Sequence, residues 1–177
     1  MALPAPYVLS FVIDDSAESL FDGPDIPLYV RSRMFGVLGI AVRTAMLRES
    51  VRADLADQIA VYKQLRGTFR ESSAQLLSPQ ASVVNPPAWD VVQDTDAAGN
   101  AIIFAFQSDT GVRRILVKPR SLRPDTTYDV WSVDVGVLGA ATGAALMTEG
   151  IEVSQNPSSA AHIIVLSAQL SGAFRIK

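Results

Sequence analysis

The sequence has no cysteine, which removes disulfide bracing, thiolate nucleophiles and cysteine-bound metals together. It leaves the redox compartment open. Histidine is nearly as scarce. The single one, His162, lies in the strand-like run "AAHIIVL", and no G-x-S-x-G elbow accompanies it. A Ser-His-Asp triad therefore has little support and a transition-metal site still less. His162 is expected at a sandwich edge, hydrogen-bonded to its surroundings. Basic residues are outnumbered, 15 Lys and Arg against 18 Asp and Glu for a net charge of −3, so the Lys/Arg footprint of a nucleic-acid binder is missing.

Long apolar runs are missing too. Met34 to Val42 is far too short to span a bilayer and is flanked by Arg31, Arg33 and Arg43; Val135 to Met147 reads as a turn-rich loop of glycines and alanines. No membrane span is expected. Pro4, Pro6, Asp14 and Asp15 interrupt the N-terminus and no basic patch precedes an apolar run, so no signal peptide is expected and the cytoplasm is favoured. The runs "GVLG" and "GAATG" lack the spacing and lysine of a phosphate loop, and no cofactor is expected.

What remains is ample for a core: 177 residues, 49% apolar and 19% charged, enough for one domain or a domain with an appendage. Tyr7 to Ile13 and Phe35 to Val42 read as continuous apolar strands, the pattern of parallel strands covered on both faces. Glu49 to Arg70 reads as a long helix, because Val51, Leu55, Ile59, Tyr62, Leu65 and Phe69 form one stripe at a 3.6-residue period. Burying such side chains stabilises by about 1.5–3 kcal/mol each before ordering entropy is subtracted. Residues 79–88, rich in proline and serine, read as a linker between a unit over 1–78 and a second over 89–177. The second unit shows short strands near 90–93, 101–107, 113–118, 127–134, 151–154 and 161–168, separated by turn signals such as "DAAGN" and "SDTG". Strands at that interval with no helix between them predict an antiparallel β-sandwich, with Ile102, Phe104 and Phe106 on one inner face.

Two places could carry chemistry. "LRPDTTYDVWSVDVG", residues 122–136, holds Asp125, Asp129 and Asp134 beside Tyr128 and Trp131. Paired carboxylates near aromatics suit glycoside hydrolysis, but the alternation of the run suits an ordinary strand opened by the turn at Pro124-Asp125. The strand is the better reading. The second place is the acidic cluster Asp14, Asp15 and Glu18 after the first strand, with Arg31 and Arg33 ahead of the second. Strand ends are where barrel enzymes place working residues, although these arginines could equally pair with the acidic loop.

Taken in order, "MFGVLGI", "IAVYKQLR", the Pro-rich bridge, "AWDVVQ", "GNAIIFAFQSDTG", "LRPDTTYDV", "TGAALMTEGIEV" and "SAAHIIVL" resemble the C-terminal end of α-galactosidase-like glycoside hydrolases of family 36, related to family 27. The resemblance implies an α+β chain: a short β-β-α remnant of a (β/α)8 barrel, holding its seventh and eighth strands and last helix, followed by an antiparallel β-sandwich. It implies that the catalytic aspartates of such an enzyme lie upstream, that Asp14, Asp15, Arg31 and Arg33 lie at the substrate rim, and that carbohydrate is met through the parent enzyme. A chain of this kind is expected to self-associate or to need the missing barrel portion. Two other classes stay open: an autonomous carbohydrate-binding module, which wants exposed coplanar aromatics, and an interaction protein that docks its apolar helix on a partner.

Overall fold

A computed structural model describes residues 8–13, 25–69, 71–79, 84 and 87–168. The two N-terminal strands, β1 (Leu9–Ile13) and β2 (Val37–Ala41), pair in parallel, Leu9 opposite Val37 and Phe11 opposite Gly39. Parallel strands need a crossover, and here the crossover carries a helix that the sequence reading missed, α1 (Ile26–Arg31). The expected β-β-α order is therefore β-α-β, followed by α2 (Glu49–Phe69). With six residues α1 is too short for a periodic signal. Its marks are local: Asp25 Oδ1 accepts the Leu28 N–H at 2.8 Å, and Pro27 stands in the first turn, where no N–H is needed.

The rest is antiparallel. β3 (Ser73–Leu76), β4 (Trp89–Thr95), β5 (Ala101–Gln107), β7 (Thr127–Ser132), β8 (Gly136–Thr142) and β10 (Ala161–Ala168) form one six-stranded sheet in the order β3-β4-β5-β10-β7-β8. β6 (Arg114–Val117) and β9 (Ile151–Ser154) form a two-stranded sheet, and α3 (Gly143–Glu149) lies between β8 and β9 in the chain. The turn-rich loop expected over 135–147 is a strand and a helix. Strand β8 is an edge whose residues are mostly exposed, so it shows no apolar alternation. Helix α3 is capped by Thr142, whose Oγ1 accepts the Ala145 N–H at 3.2 Å, and Gly143 is required there because a Cβ would collide with the Arg123 carbonyl. Strand β3 precedes the Pro-rich stretch yet pairs with β4, Leu76 opposite Val92, so the edge of the large sheet comes from the N-terminal side of residues 79–88.

The central strands of the large sheet are buried on both faces. On one, Ile102, Phe104, Ile163 and Val165 pack with Val51, Leu55, Leu65 and Phe69 of α2 and with Val12 and Val30. On the other, Ala101, Ile103, Tyr128, Val130, Ile164 and Leu166 meet Val117, Ile151 and Val153 of the two-stranded sheet and Leu146 of α3. Ile102 and Phe104 thus face α2, with Phe106 half-buried beside them, rather than the interior between the sheets; Ala101, Ile103 and Ala105 take that place. Because β5 is apolar on both faces, its run "AIIFAF" carries no alternation from which the inward side could be read. No helix of the described residues is long and apolar enough to cross a membrane.

Candidate functional site

Of the residues singled out for the rim, Arg31 ends α1 and Arg33 follows it. Asp14 and Asp15 lie outside the described residues. Arg33 follows α1 and reaches the first strand: its Nε donates to the Phe11 carbonyl at 2.9 Å, its Nη1 to the Tyr29 carbonyl at 3.0 Å, and its guanidinium lies 3.9 Å from the centre of the Tyr29 ring. The Tyr29 hydroxyl in turn donates to the Ile13 carbonyl at 3.1 Å and accepts the Ile13 N–H at 3.2 Å. Arg33 and Tyr29 are therefore stacked beside the C-terminal end of β1.

Arg31 points the other way. It is buried, donating from Nε to Gln58 Oε1 at 2.9 Å, and from Nη1 to the Ala161 carbonyl at 2.6 Å and to Asp134 Oδ1 at 2.8 Å. Asp25 works in parallel, its Oδ2 accepting the Ala160 N–H at 2.7 Å. Together the two side chains fasten α1 to the start of β10 and to the turn after β7. The acidic loop expected as an alternative partner lies outside the described residues; the partner observed for Arg31 is Asp134 of the "VDVG" stretch. Asp25 could have been found from sequence, as a helix-capping residue two places before a proline; Gln58 and Asp134 could not, since only the fold brings them to α1.

Three of the aromatics that might have formed a sugar platform are turned inward or partly covered. Tyr128 and Trp89 are buried, Trp131 is half-buried against the α2-side core, and Tyr128 and Trp131 lie on opposite faces of β7. Tyr128 accepts the Arg123 N–H at 3.0 Å, and Trp89 Nε1 donates to the Val112 carbonyl at 2.8 Å. The strand reading of residues 122–136 is the observed one.

His162 is not at an edge. β10 is flanked by β5 and β7, because sheet order does not follow chain order. Its ring lies 5.4 Å from that of Trp89, and its buried Nε2 has no hydrogen-bond partner. Burial lowers its pKa from the ordinary value, the Asp134 carboxylate raises it, the Arg31 guanidinium lowers it and the Asp25 carboxylate raises it. Asp94 is the second unusual group: fully buried on β4, it accepts from Ser72 Oγ at 3.3 Å through Oδ1, while Oδ2 is unpartnered. Burial pushes its carboxyl above the ordinary range, and the Ser72 hydrogen bond offsets part of this. Among the described residues no group of three His, Asp or Glu could hold a metal ion.

This architecture, a parallel β-α-β-α segment fastened to an antiparallel two-sheet unit, is shared with glycoside hydrolases. The α-galactosidase of Lactobacillus brevis superposes over 98% of this chain with a TM-score of 0.71 at 16% identity. The family 36 α-galactosidase AgaA of Geobacillus stearothermophilus, solved as a variant in complex with stachyose, does so over 90% at 0.71 and 16% identity. A family 27 β-L-arabinopyranosidase from Geobacillus stearothermophilus, solved with arabinose, covers 82% of the chain at 0.51 and 12% identity. The fold is therefore shared with a part of the family 36 α-galactosidases, in line with the sequence resemblance. The chain spans 23% and 21% of the two α-galactosidases and 31% of the arabinopyranosidase. No protein-family model matches the chain, and no curated protein matches it.

Proposed function

We propose that this chain is the C-terminal, non-catalytic portion of an α-galactosidase-like glycoside hydrolase, with β1-α1-β2-α2 as the end of a (β/α)8 barrel and the two-sheet unit as its sandwich. The observation that carries the reading is the state of the β1–β2 pair. One face of it packs into the core through Val12 and Leu38, while the opposite face presents Leu9, Phe11 and Val37, which are 60%, 48% and 49% exposed. Leu9 pairs with Val37 and Phe11 with Gly39, so these side chains make one continuous row. The Phe11 ring lies over Gly39 where a Cβ would otherwise stand. Such a row, inside two parallel strands backed by helices, suits the packed interior of a barrel. On this reading Arg33, with Asp14 and Asp15, belongs to the rim of the parent's substrate site, Arg31 joins barrel to sandwich, and the residues that break the glycosidic bond are supplied by the rest of the enzyme. The proposed division of the chain keeps a barrel part over 1–78 and a sandwich over 89–177, with β3 lent to the sandwich sheet.

The carbohydrate-binding alternative is disfavoured by the inward Trp89 and Tyr128, and the helix-docking alternative by the burial of the α2 stripe against this chain's own sheet. The test has two arms. The purified chain is expected not to release nitrophenol from an aryl α-galactoside. In light scattering it is expected to associate through β1–β2, with Phe11→Asp and Val37→Asp shifting it toward monomer. Turnover that Arg33→Ala abolishes, or a monomeric chain with a cooperative melt, would overturn the proposal.

A further inference from the structure

His162 is the second residue of β10, and it sits among the contacts that fasten α1 to the large sheet. The two residues before it are the anchors. Asp25 accepts the Ala160 N–H at 2.7 Å, and Arg31 donates to the Ala161 carbonyl at 2.6 Å. On the neighbouring strand Ile164 stands opposite Ser132, and the Val133 N–H donates to the Ile163 carbonyl at 3.0 Å. That register brings Asp134 level with His162. On the other side Ala105 of β5 pairs with it, and the Trp89 ring of β4 lies 5.4 Å from its own.

The imidazole is buried, and its Nε2 has no hydrogen-bond partner. Among the described residues the charged groups acting on it are Asp134 after β7, and Arg31 and Asp25 of the α1 segment. The nearest opposite charge is already engaged: both Asp134 oxygens accept from Arg31 Nη1, at 2.8 and 3.1 Å. An imidazolium donates from both ring nitrogens. A proton placed on Nε2 would therefore be a buried charge without an acceptor, which is costly.

We propose that His162 is a proton-operated latch, whose protonation opens the junction between α1 and the start of β10 while the middle of the large sheet stays closed. The protonated ring has two outlets, and both undo the junction. It draws Asp134 away from Arg31, leaving a buried guanidinium short of its anion, or it reaches water by parting the first residues of β10 from the turn after β7. His162 lies near the start of its strand, so such an opening breaks few ladder bonds and belongs to the local class. Burial, the largest influence on the ring, disfavours its charged form in the closed junction. The neutral ring thus belongs to the closed state and the protonated ring to the open one. Opening takes up one proton, so the open population rises by up to about tenfold per pH unit below about 6.5. Because α1 also carries Tyr29, whose hydroxyl bonds both backbone groups of Ile13, the latch ties the end of β1 to pH.

The test is hydrogen exchange on the full chain between pH 7.5 and 5.5, corrected for the intrinsic rate. It is read over residues 25–33 and 158–164, with 101–105 in the middle of the sheet as control. Protection at the first two is expected to fall by up to about tenfold per pH unit below about 6.5, with the control unmoved. His162→Gln should remove that response. The chain has one histidine, so its ring proton resonances follow the titration directly in the unaltered protein, whether or not the variant folds. They are expected to titrate in step with the loss of protection. An equal acid response in His162→Gln would overturn the proposal, as would a parallel loss at the control, or a ring that titrates at about 6.5 while α1 keeps its protection.

Discussion

Arg31 and Asp134 stand 103 residues apart in the chain, yet their side chains form an ion pair at 2.8 Å that is nearly closed to water, 4% and 11% exposed. The pair joins the crossover helix of the N-terminal segment to the turn after β7. Its surroundings complete it: Gln58 and the Ala161 carbonyl take further guanidinium protons. Removing one partner of such a pair leaves a buried charge uncompensated. Asp134→Ala is therefore expected to destabilise by about 3–5 kcal/mol in denaturant melts. The double change Arg31→Met with Asp134→Leu should recover a large part of that loss; equal damage from the double and the single variants would mean that the pair is not coupled.

His162 makes the same junction sensitive to acid. Burial depresses its pKa in the folded chain, whereas the unfolded chain titrates at the ordinary value of about 6.5. Between the two values the unfolded state binds more protons, so stability falls as pH drops below about 6.5 and is lost down to the folded value. Charged neighbours enter with both signs, Asp134 and Asp25 raising the value and Arg31 lowering it. His162→Gln is expected to flatten the pH dependence of the melting temperature in that window. An unchanged slope in the variant would assign the acid sensitivity to other groups.

Asp94 has the opposite sign. Its folded value is raised above the ordinary one, so the group contributes stability that is present below the unfolded value of 3.8 and lost as pH rises through the folded value. Asp94→Asn removes that titration. Its stability relative to the parent chain is expected to be most favourable near neutral pH and to decline steadily on acidification. Denaturant midpoints measured across the acid range for both chains decide this, and a difference independent of pH would count against a buried, uphill carboxylate.

Phe104 tests how strongly α2 and the large sheet depend on one another. It is fully buried, 4.6 Å from the Phe35 ring and 6.0 Å from that of Phe69 on α2. Phe104→Ala should cost about 3–5 kcal/mol by transfer and cavity terms. If the ring couples the two elements, Phe69→Ala added to it should cost less than it does alone. Additive losses would show that the two side chains act separately.

A fragment beginning at Ala88 would expose Ile102, Phe104, Ile163 and Val165 and leave β4 without β3. It is expected to aggregate or to melt without cooperativity, whereas a fragment beginning at Arg48, which keeps α2 and β3, should show a single transition. Calorimetry on both separates these outcomes. A sharp transition in the shorter fragment would establish that the two-sheet core folds by itself.

Sequence alone was enough for the elements whose burial is periodic or continuous. The α2 stripe and the bounds of β5, β9 and β10 follow from apolar spacing; β1 and β2 are parallel as expected, but the apolar Leu9, Phe11 and Val37 on one of their faces are exposed rather than covered. The resemblance to family 36 rests on the order of those same segments, and the fold agrees. Three kinds of feature needed the tertiary structure. Elements that bury little or are very short, α1, β3 and β8, leave no periodic trace. A strand such as β5, covered on both faces, hides which face looks where: the sequence points Phe104 between the sheets, and the structure turns it toward α2. Contacts across the chain are the third. Arg31 is as compatible with a substrate clamp as with an ion pair until folding brings Asp134, Gln58 and the Ala161 carbonyl around it. A buried guanidinium needs acceptors on several sides, and only a folded chain can supply them from residues far apart in sequence.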